Sequence, residues 1–175
     1  FDLIYARPGQ TPQGWGAELE QAIAHAVEHL SLYQLTIEPG TWFERLFNAG
    51  KLTVPDEETG RALYDVTQEV CEAHGLPAYE ISNHARPGAE SRHNLLYWRY
   101  GEYAGIGPGA HGRLVTGNAR IATATEKHPE TWLAQVERED HGVIEEEILT
   151  TEAAGDEILL MGLRLKEGID PRRYE

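Results

Sequence analysis

The sequence predicts an α/β fold built around buried parallel strands, and three features of the first forty residues support this prediction. A short, mostly apolar run at residues 1–5 ends at the turn-forming segment Arg7-Pro8-Gly9. A helical pattern follows, and a nearly continuous apolar run from Leu30 to Ile37 then ends at Pro39-Gly40. A strand without polar alternation is typical of a parallel sheet that is covered on both faces. This order of elements predicts one βαβ unit of a doubly wound sheet or a barrel.

The first helix is predicted from its cap and its apolar spacing. Thr11 followed by Pro12 is typical of an N-cap with proline at the first helical position. Apolar residues then recur at helical spacing, so the helix is expected to run to about Val27. The residues of this stripe are Trp15, Leu19, Ala22, Ile23 and Ala26.

A second helix is predicted from Asp56, which can cap it, to His74-Gly75, which can end it. Its apolar stripe consists of Leu63, Val66, Val70 and Cys71. Because Cys71 lies on that stripe, we interpret it as a core residue and not as a nucleophile. Residues 77–81 are predicted to form another short strand.

The second half of the chain shows less regular patterns. Residues 82–112 lack periodicity, and an irregular segment of this length is usually functional. Residues 114–125 have β-like character, and acidic helices are expected from Lys127 onward, with Thr151 capping a helix that reaches Gly168. We place a domain boundary near residue 126, which gives domains of residues 1–125 and 126–175.

Composition excludes several classes of protein. The chain has 15 Lys and Arg against 29 Asp and Glu, a formal charge of −14, which argues against binding a nucleic-acid backbone. No apolar run approaches the roughly 18 to 20 residues of a membrane span, so no transmembrane segment is expected. The single cysteine excludes a disulfide framework and a self-sufficient iron–sulfur site, and it favours a reducing, cytoplasmic location. The chain opens on Phe1 and not on Met, which suggests a piece of a longer protein.

Two short motifs match known sites only by their letters. Residues 107–112 fit the dinucleotide pattern G-x-G-x-x-G, but a poor strand precedes them and a β-like segment follows, where a helix is required. Residues 25–29 spell the zinc-peptidase pattern H-x-x-E-H. His29 falls where helix gives way to strand, so its side chain and that of His25 would not share a helix face. We reject both interpretations.

The chemistry is concentrated in residues 79–100. This segment contains two imidazoles, two side-chain amides, four aromatic residues and three arginines. Such a set suits a flat apolar ligand with acidic groups, because aromatics give contact area and arginines pair with carboxylates. Haem fits this description, with iron on His93 or Tyr97 and propionates on Arg86, Arg92 or Arg99. The alternative is a packed aromatic plug, in which His84 and His111 would be hydrogen-bonded structural histidines.

Five separated motifs in order resemble the oxygen-independent coproporphyrinogen III oxidase family of radical S-adenosylmethionine (SAM) proteins. They are residues 1–11, 29–41, 79–85, 93–98 and 105–112, and residues 157–168 extend the resemblance. The motif H-N-L-x-Y-W at residues 93–98 marks the HemW branch of haem chaperones. The resemblance implies the later half of an incomplete (βα)6 radical SAM barrel, which is TIM-like, followed by the start of a small, mainly helical C-terminal domain. The family's C-x-x-x-C-x-x-C motif is absent, so a [4Fe-4S] cluster is expected in the full-length protein only.

The resemblance also implies particular site residues. Asp2, at the end of its strand, would contact SAM, and Thr36 and His111 occupy the positions of two further SAM contacts. The haem motif comprises His93, Asn94, Tyr97 and Trp98, with His93 as the axial ligand of the iron and Tyr97 as the alternative. Ala6-Arg7 replaces the usual Gly-Leu and puts a cation on the loop after the first strand.

Three functions follow as alternatives. The leading one is a haem-binding chaperone that passes haem to an acceptor protein. The second is an oxygen-independent coproporphyrinogen III oxidase, which would use SAM and the cluster for oxidative decarboxylation. The third is an acidic α/β fragment whose aromatic segment is only core. This chain alone is expected to be inactive, and its oligomeric state is left open, a homodimer included.

Overall fold

The computed structural model describes residues 1–25 and 28–173, and these residues form two compact units, Phe1–Ser91 and Arg92–Glu175. The first unit contains β1 (Asp2–Tyr5), α1 (Pro12–Ile23), β2 (His29–Gln34), α2 (Trp42–Asn48), α3 (Glu57–Ala73) and β3 (Asn83–Ala85). The second contains α4 (Arg92–Trp98), β4 (His111–Thr116), β5 (Ala119–Thr125), α5 (Pro129–Glu139), β6 (Val143–Ile148), α6 (Thr151–Gly162) and a 3₁₀ turn, Pro171–Arg173. No helix in the described part of the chain is both long and apolar enough to span a membrane.

The first unit confirms the predicted βαβ arrangement. β1 and β2 are parallel, with Asp2 beside Ser31 and Tyr5 beside Gln34. β3 joins the other edge of β2 in the antiparallel direction, with His84 opposite Leu30. The sheet therefore has the order β1-β2-β3, with β1 at one edge.

The core of this unit lies between the sheet and two helices. Leu30 and Leu32 of β2 pack in one cluster with Trp15 of α1 and Leu63 of α3. The indole Nε1 of Trp15 donates a hydrogen bond of 2.8 Å to Thr67 Oγ1, which donates in turn to the carbonyl of Leu63 at 2.8 Å. This chain of bonds satisfies the buried polar atoms that hold α1 against α3.

Two predicted caps are confirmed. Thr11 Oγ1 accepts from the Gly14 N–H at 3.1 Å, and Asp56 Oδ1 accepts from the Thr59 N–H at 2.8 Å. Each bond satisfies one of the free N–H groups in the first turn of its helix. α3 ends at Ala73 with His74 as its C-cap, as expected. α1 ends at Ile23, and the predicted extension through Ala26 and Val27 falls outside the described residues.

Two strand predictions in this unit are wrong in position, and one helix is not predicted. β2 ends at Gln34 and does not continue to Ile37, and α2 was not predicted. The expected strand at residues 77–81 makes only an isolated bridge from Ala78 to His84. The chain turns back at residues 80–82, where Glu80 Oε1 accepts from the Ser82 N–H at 2.8 Å. The ladder with β2 is therefore formed by Asn83–Ala85 and not by the more apolar segment before it.

The second unit is an antiparallel sheet of order β4-β5-β6 with its helices. The β-like segment at 114–125 is a hairpin of β4 and β5 joined at Gly117-Asn118, with Gly117 at φ 61°. The expectation of an irregular segment over 82–112 is wrong in part, because it contains β3, α4 and the first residues of β4. The acidic segment is also not wholly helical, since β6 pairs with β5 between α5 and α6.

The last long helix begins and ends earlier than predicted. Thr150 and not Thr151 is its N-cap, and its side chain accepts from the Ala153 N–H at 3.1 Å. The helix ends at Gly162 with Leu163 as its C-cap, and Ile169 packs where a side chain at Gly162 would lie. The domain boundary near residue 126 stays a prediction; residue 126 lies between β5 and α5 of the second unit.

Candidate functional site

The segment 92–98, expected to carry the chemistry, forms the short helix α4. Its end is fixed by two residues: Tyr100 has a positive φ of 55°, and the N–H of Gly101 donates to the carbonyl of Leu96 at 2.7 Å. A Cβ at Gly101 would lie 2.9 Å from that carbonyl oxygen, so only glycine lets the backbone approach this closely. This tight turn sets the direction in which α4 presents its side chains.

Two rings on one face of α4 and a third ring beyond the helix form a row, which we call the aromatic row: His93, Tyr97 and Tyr103. His93 and Tyr97 are four residues apart on the helix, and their ring centroids are 4.8 Å apart. The ring of Tyr97 lies 4.2 Å from that of Tyr103. His93 is exposed, and within the described residues neither of its ring nitrogens has a hydrogen-bond partner. An imidazole in this state is free to donate or to coordinate a metal.

An adjacent side of α4 carries Trp98, which the structure does not bring together with His93. The guanidinium of Arg164 lies 4.3 Å from the ring centroid of Trp98, and the buried Trp98 Nε1 has no hydrogen-bond partner in the part of the chain that the structure describes. Asn94, four residues before Trp98, is half-buried. Of the motif residues, His93 is therefore exposed, whereas Asn94, Tyr97 and Trp98 are half-buried.

The expected propionate partners differ in what they contact. Arg99 forms a bidentate ion pair with Glu167, with both N···O distances at 2.8 Å, so its charge is already matched. Arg92 and Arg86 are exposed. Arg92 lines a shallow groove of about 330 Å³ on α4 together with Leu95 and Leu96. Arg92 is thus the arginine of α4 that is best placed to meet an acidic group of a ligand.

A half-buried polar network holds the segment after α4 against the sheet. Glu157 of α6 accepts from the Tyr100 hydroxyl at 2.5 Å and from Arg113 Nη2 at 2.7 Å. Arg120 lies 3.5 Å from the ring centroid of Tyr100 and donates to the carbonyls of Tyr100 and Gly101 at 2.9 and 2.8 Å. Every member is paired with an opposite charge, a carbonyl or an aromatic ring, which is what half-buried charges require.

The ionisation of this network follows from its contacts. Burial, together with the hydrogen bond to Glu157, raises the pKa of the Tyr100 hydroxyl to about 12. The hydrogen bond from Arg113 lowers the pKa of Glu157, although burial opposes this shift. At neutral pH the network is therefore an ion pair with a protonated tyrosine. Sequence reasoning missed these residues, since no local spacing links Glu157 with Arg113.

A second polar cluster lies in the first unit. His84, on β3, is 1% exposed, and neither of its ring nitrogens has a partner in the described residues. Burial lowers its pKa to about 4, while the nearby charge of Glu80 opposes the shift. Asn83 Nδ2 donates to Glu80 Oε1 at 2.5 Å. The prediction that His84 is a hydrogen-bonded structural histidine is wrong in its hydrogen bonds, although the side chain is indeed part of the interior.

The expected SAM contacts are dispersed. Asp2 is exposed at the amino-terminal end of β1, beside Ser31, whereas Thr36 lies beyond the carboxyl end of β2 and donates to Glu38 Oε1 at 2.9 Å. Five residues separate Ser31 from Thr36, on the order of 15 Å along the strand direction. The structure therefore does not bring Asp2 and Thr36 together. His111 is exposed at the start of β4 in the second unit.

Comparisons with known proteins find relatives that match nearly the whole chain. No protein-family model matches the chain. The radical S-adenosyl methionine domain-containing protein 1 of Danio rerio is 39% identical over 178 residues, which cover 99% of this chain and 40% of the relative. The haem chaperone HemW of Bacillus subtilis is 36% identical over 177 residues, covering 99% of this chain and 45% of that protein. HemW of Mycobacterium tuberculosis is 36% identical over 169 residues, covering 97% and 42%.

The chain belongs to the radical SAM proteins, in the branch that contains HemW. The structure is similar to coproporphyrinogen III oxidase of Escherichia coli, with a TM-score of 0.71 and 18% identity over 99% of this chain and 42% of the oxidase. This likeness confirms the fold as part of a radical SAM barrel. The chain spans less than half the length of these relatives.

The chain's own residues do not fit the iron–sulfur cluster that the radical SAM family implies. Its single cysteine, Cys71, has no exposed surface and packs in the core of the first unit. Burial raises the pKa of its thiol to about 12, so the thiolate that a cluster needs does not form at neutral pH. No group of three metal-ligating side chains occurs within residues 1–25 and 28–173.

The two motifs rejected from the sequence are also ruled out by their surroundings in this radical SAM chain. Residues 107–112 lead into β4, and Thr125 Oγ1 donates to the Gly107 carbonyl at 2.6 Å, which pins the segment to β5. No helix N-terminus follows to face a pyrophosphate. His25 lies beyond the end of α1 and His29 lies in β2, so the two do not share a helix face.

Proposed function

We propose that this chain carries the haem-binding surface of a haem chaperone of the HemW branch. The observation that carries the proposal is His93: it is exposed, its ring nitrogens have no partner among the described residues, and Tyr97 stands beside it. A neutral imidazole of this kind is the commonest protein ligand of haem iron. Relatives that cover nearly all of this chain carry the name haem chaperone, which supports the same function.

The residues present fit haem as a ligand. His93 Nε2 or Nδ1 would hold the iron, and the ring of Tyr97 would give apolar contact along the macrocycle. Arg92, exposed on the same helix, would pair with a propionate. Asn94 and Trp98 would act from an adjacent side of α4 by fixing the helix, since Trp98 packs against Arg164. Tyr97 is the alternative iron ligand.

A haem titration of the full-length protein tests this function. Saturable binding, followed by the Soret band, is expected for the wild-type protein, and His93→Ala should weaken the binding or shift the band. His25→Ala is the matched control, because His25 is also exposed and lies in the other unit.

Three outcomes of this titration differ in meaning. Binding that His93→Ala weakens supports the chaperone with His93 as ligand. Saturable binding with an unchanged spectrum would contradict His93 as ligand and leave Tyr97. No binding by the wild-type protein would contradict the chaperone, and coproporphyrinogen III would then be the substrate to offer to an oxidase.

We also propose that Asp2 contacts SAM in the full-length protein, where SAM and a [4Fe-4S] cluster would supply the radical chemistry. Thr36 and His111 stay separate candidates for SAM contacts, since the structure does not bring Thr36 to Asp2. Asp2 supports this best, since it is exposed on the face of the sheet opposite the core that α1 and α3 form. The dissociation constant of SAM, measured by calorimetry on the wild-type protein and on Asp2→Asn, tests the assignment. An unchanged constant for Asp2→Asn would contradict it.

The proposed function also implies a haem-accepting partner and a reducing compartment. A haem chaperone needs an acceptor protein, so haem bound to the full-length protein should move to an apo-haem protein on mixing. The single buried cysteine fits a reducing compartment such as the cytoplasm, although the animal relatives are named mitochondrial. Cell fractionation tests the location, and light scattering after gel filtration tests whether the protein is a homodimer.

A further inference from the structure

Tyr103 is the most firmly held member of the aromatic row. Its backbone N–H donates to the carbonyl of Arg113 at 2.8 Å, and its carbonyl accepts from the N–H of Arg113 at 2.8 Å. Arg113 belongs to β4 and is itself clamped by Glu157 of α6. Tyr103 is thus a fixed point on the sheet of the second unit.

The side chain of His93, at the other end of the aromatic row, makes fewer contacts than Tyr103. Its side chain is exposed, and its ring contact within the described residues is with Tyr97, at 4.8 Å. α4 has only seven residues, so the helix itself gives limited rigidity. A side chain of this kind loses rotamer freedom when it binds a ligand, and that loss costs free energy unless a neighbour has already restricted it.

Tyr97 connects the two ends. Its ring is 4.2 Å from Tyr103, with an interplanar angle of 38°, and it meets the ring of His93 at 56°. Tilted and offset contacts at these distances are favourable for aromatic pairs. The contacts therefore run from β4 to Tyr103, from Tyr103 to Tyr97 and from Tyr97 to His93.

We propose that Tyr103 is a positioning residue for haem binding: held by β4, its ring fixes Tyr97, which orients the imidazole of His93 toward the iron. This inference rests on the proposed haem-binding function and deepens it. Tyr103 acts through its ring and not through its hydroxyl.

The test compares haem binding by variants of the full-length protein. Tyr103→Leu removes the ring and Tyr103→Phe removes only the hydroxyl. Tyr103→Leu should raise the dissociation constant of haem roughly two- to tenfold, the worth of an aromatic pair. It should also broaden or split the Soret band and the ferric electron paramagnetic resonance signal, because the imidazole would no longer hold one orientation. Tyr103→Phe should restore both the affinity and the single spectrum.

Two further variants keep the inference falsifiable. Tyr97→Leu interrupts the row without touching the contact of Tyr103 with β4, and it should give the same heterogeneous spectrum even if Tyr103→Leu does not fold. Phe43→Leu, which changes an exposed aromatic residue of α2 in the first unit, should leave binding and spectrum unchanged.

The failure of this inference is distinct from failure of the proposed function. If His93→Ala loses binding while Tyr97→Leu and Tyr103→Leu keep the wild-type affinity and spectrum, the positioning role is wrong and the haem function stands. If Tyr103→Phe behaves like Tyr103→Leu, the hydroxyl and not the ring is responsible, which also overturns the inference. If the wild-type protein binds no haem, the proposed function itself is wrong.

Discussion

His84 shows how one buried residue links the fold to pH. It lies opposite Leu30 in the sheet, so its side chain points to the side of the apolar core. An imidazole without partners in that environment stays neutral, and its pKa is about 4 in the folded chain against an ordinary 6.5. The groups that face it electrostatically are Glu80, which favours the charged form, and His29, which disfavours it.

This shift predicts acid sensitivity of the first unit. Because the folded pKa is depressed, the unfolded chain binds the proton first, so stability is full above about pH 6.5 and falls as the pH drops to about 4. The loss reaches at most about 3 kcal/mol. Urea unfolding at several pH values between 4 and 7 measures it.

The matched variants for that experiment are His84→Phe and His25→Gln. His84→Phe should flatten the pH dependence in this window, whereas His25→Gln, at an exposed site, should keep it. An equally steep loss of stability in His84→Phe would show that another group controls the acid transition.

At the scale of elements, Gly112 determines how closely β4 approaches its neighbours. A Cβ at this position would lie 2.5 Å from Thr123 Oγ1 and 3.2 Å from the carbonyl oxygen of Tyr103. The carbonyl belongs to backbone that is already paired with β4, so it cannot move without breaking the bridge between Tyr103 and Arg113.

Gly112→Ala should therefore destabilise the second unit and also disturb the aromatic row. We expect a loss on the order of 1–3 kcal/mol, the usual cost of overpacking, measured by thermal or urea unfolding. Gly117→Ala serves as a control for backbone strain. A Cβ at Gly117 would have no atom within 4 Å, so the substitution changes only the energy of the positive φ. If Gly112→Ala were less destabilising than Gly117→Ala, close packing at β4 would not be the cause.

Some elements could be predicted from sequence and others could not, for physical reasons. α3 was located well because its cap at Asp56 and its apolar stripe are local features. β3 was missed because the three residues Asn-His-Ala contain little β-forming character, and only the turn at Glu80 and pairing with β2 place them in the sheet. β6 was missed because its acidic face is exposed and its pairing with β5 is not encoded in its own residues.

The candidate site shows the same division. His93 and Tyr97 were identified from their residue types, which can ligate iron, and from the motif H-N-L-x-Y-W, whereas the helix that places their rings side by side was not predicted. Tyr103 was not identified, since it joins the row through a turn at Tyr100 and a bridge to β4 that no local pattern specifies. Long-range contacts of this kind become visible only in the folded chain.

At the scale of the whole molecule, the first unit has the shape of a piece of a larger barrel. Helices cover one face of its sheet, while Ile4 and Tyr33 on the other face remain 49% and 44% exposed. β1 is an edge strand of this sheet. An exposed apolar sheet face and an unpaired edge strand are typical of strands that form part of a barrel wall. The fold likeness to the Escherichia coli oxidase covers 42% of that protein.

The last prediction concerns the iron–sulfur cluster. After anaerobic reconstitution with iron and sulfide, this chain should contain no stoichiometric cluster, because its one cysteine is buried with a pKa of about 12 and a [4Fe-4S] cluster needs accessible thiolates. Iron and sulfide content per chain and the visible absorbance measure the outcome, with Cys71→Ala as the matched control. A cluster that forms in the wild-type chain and disappears in Cys71→Ala would overturn the assignment of Cys71 to the core. A cluster that persists in Cys71→Ala would require ligands other than cysteine, against the absence of any three-residue ligand group in the described parts of the chain.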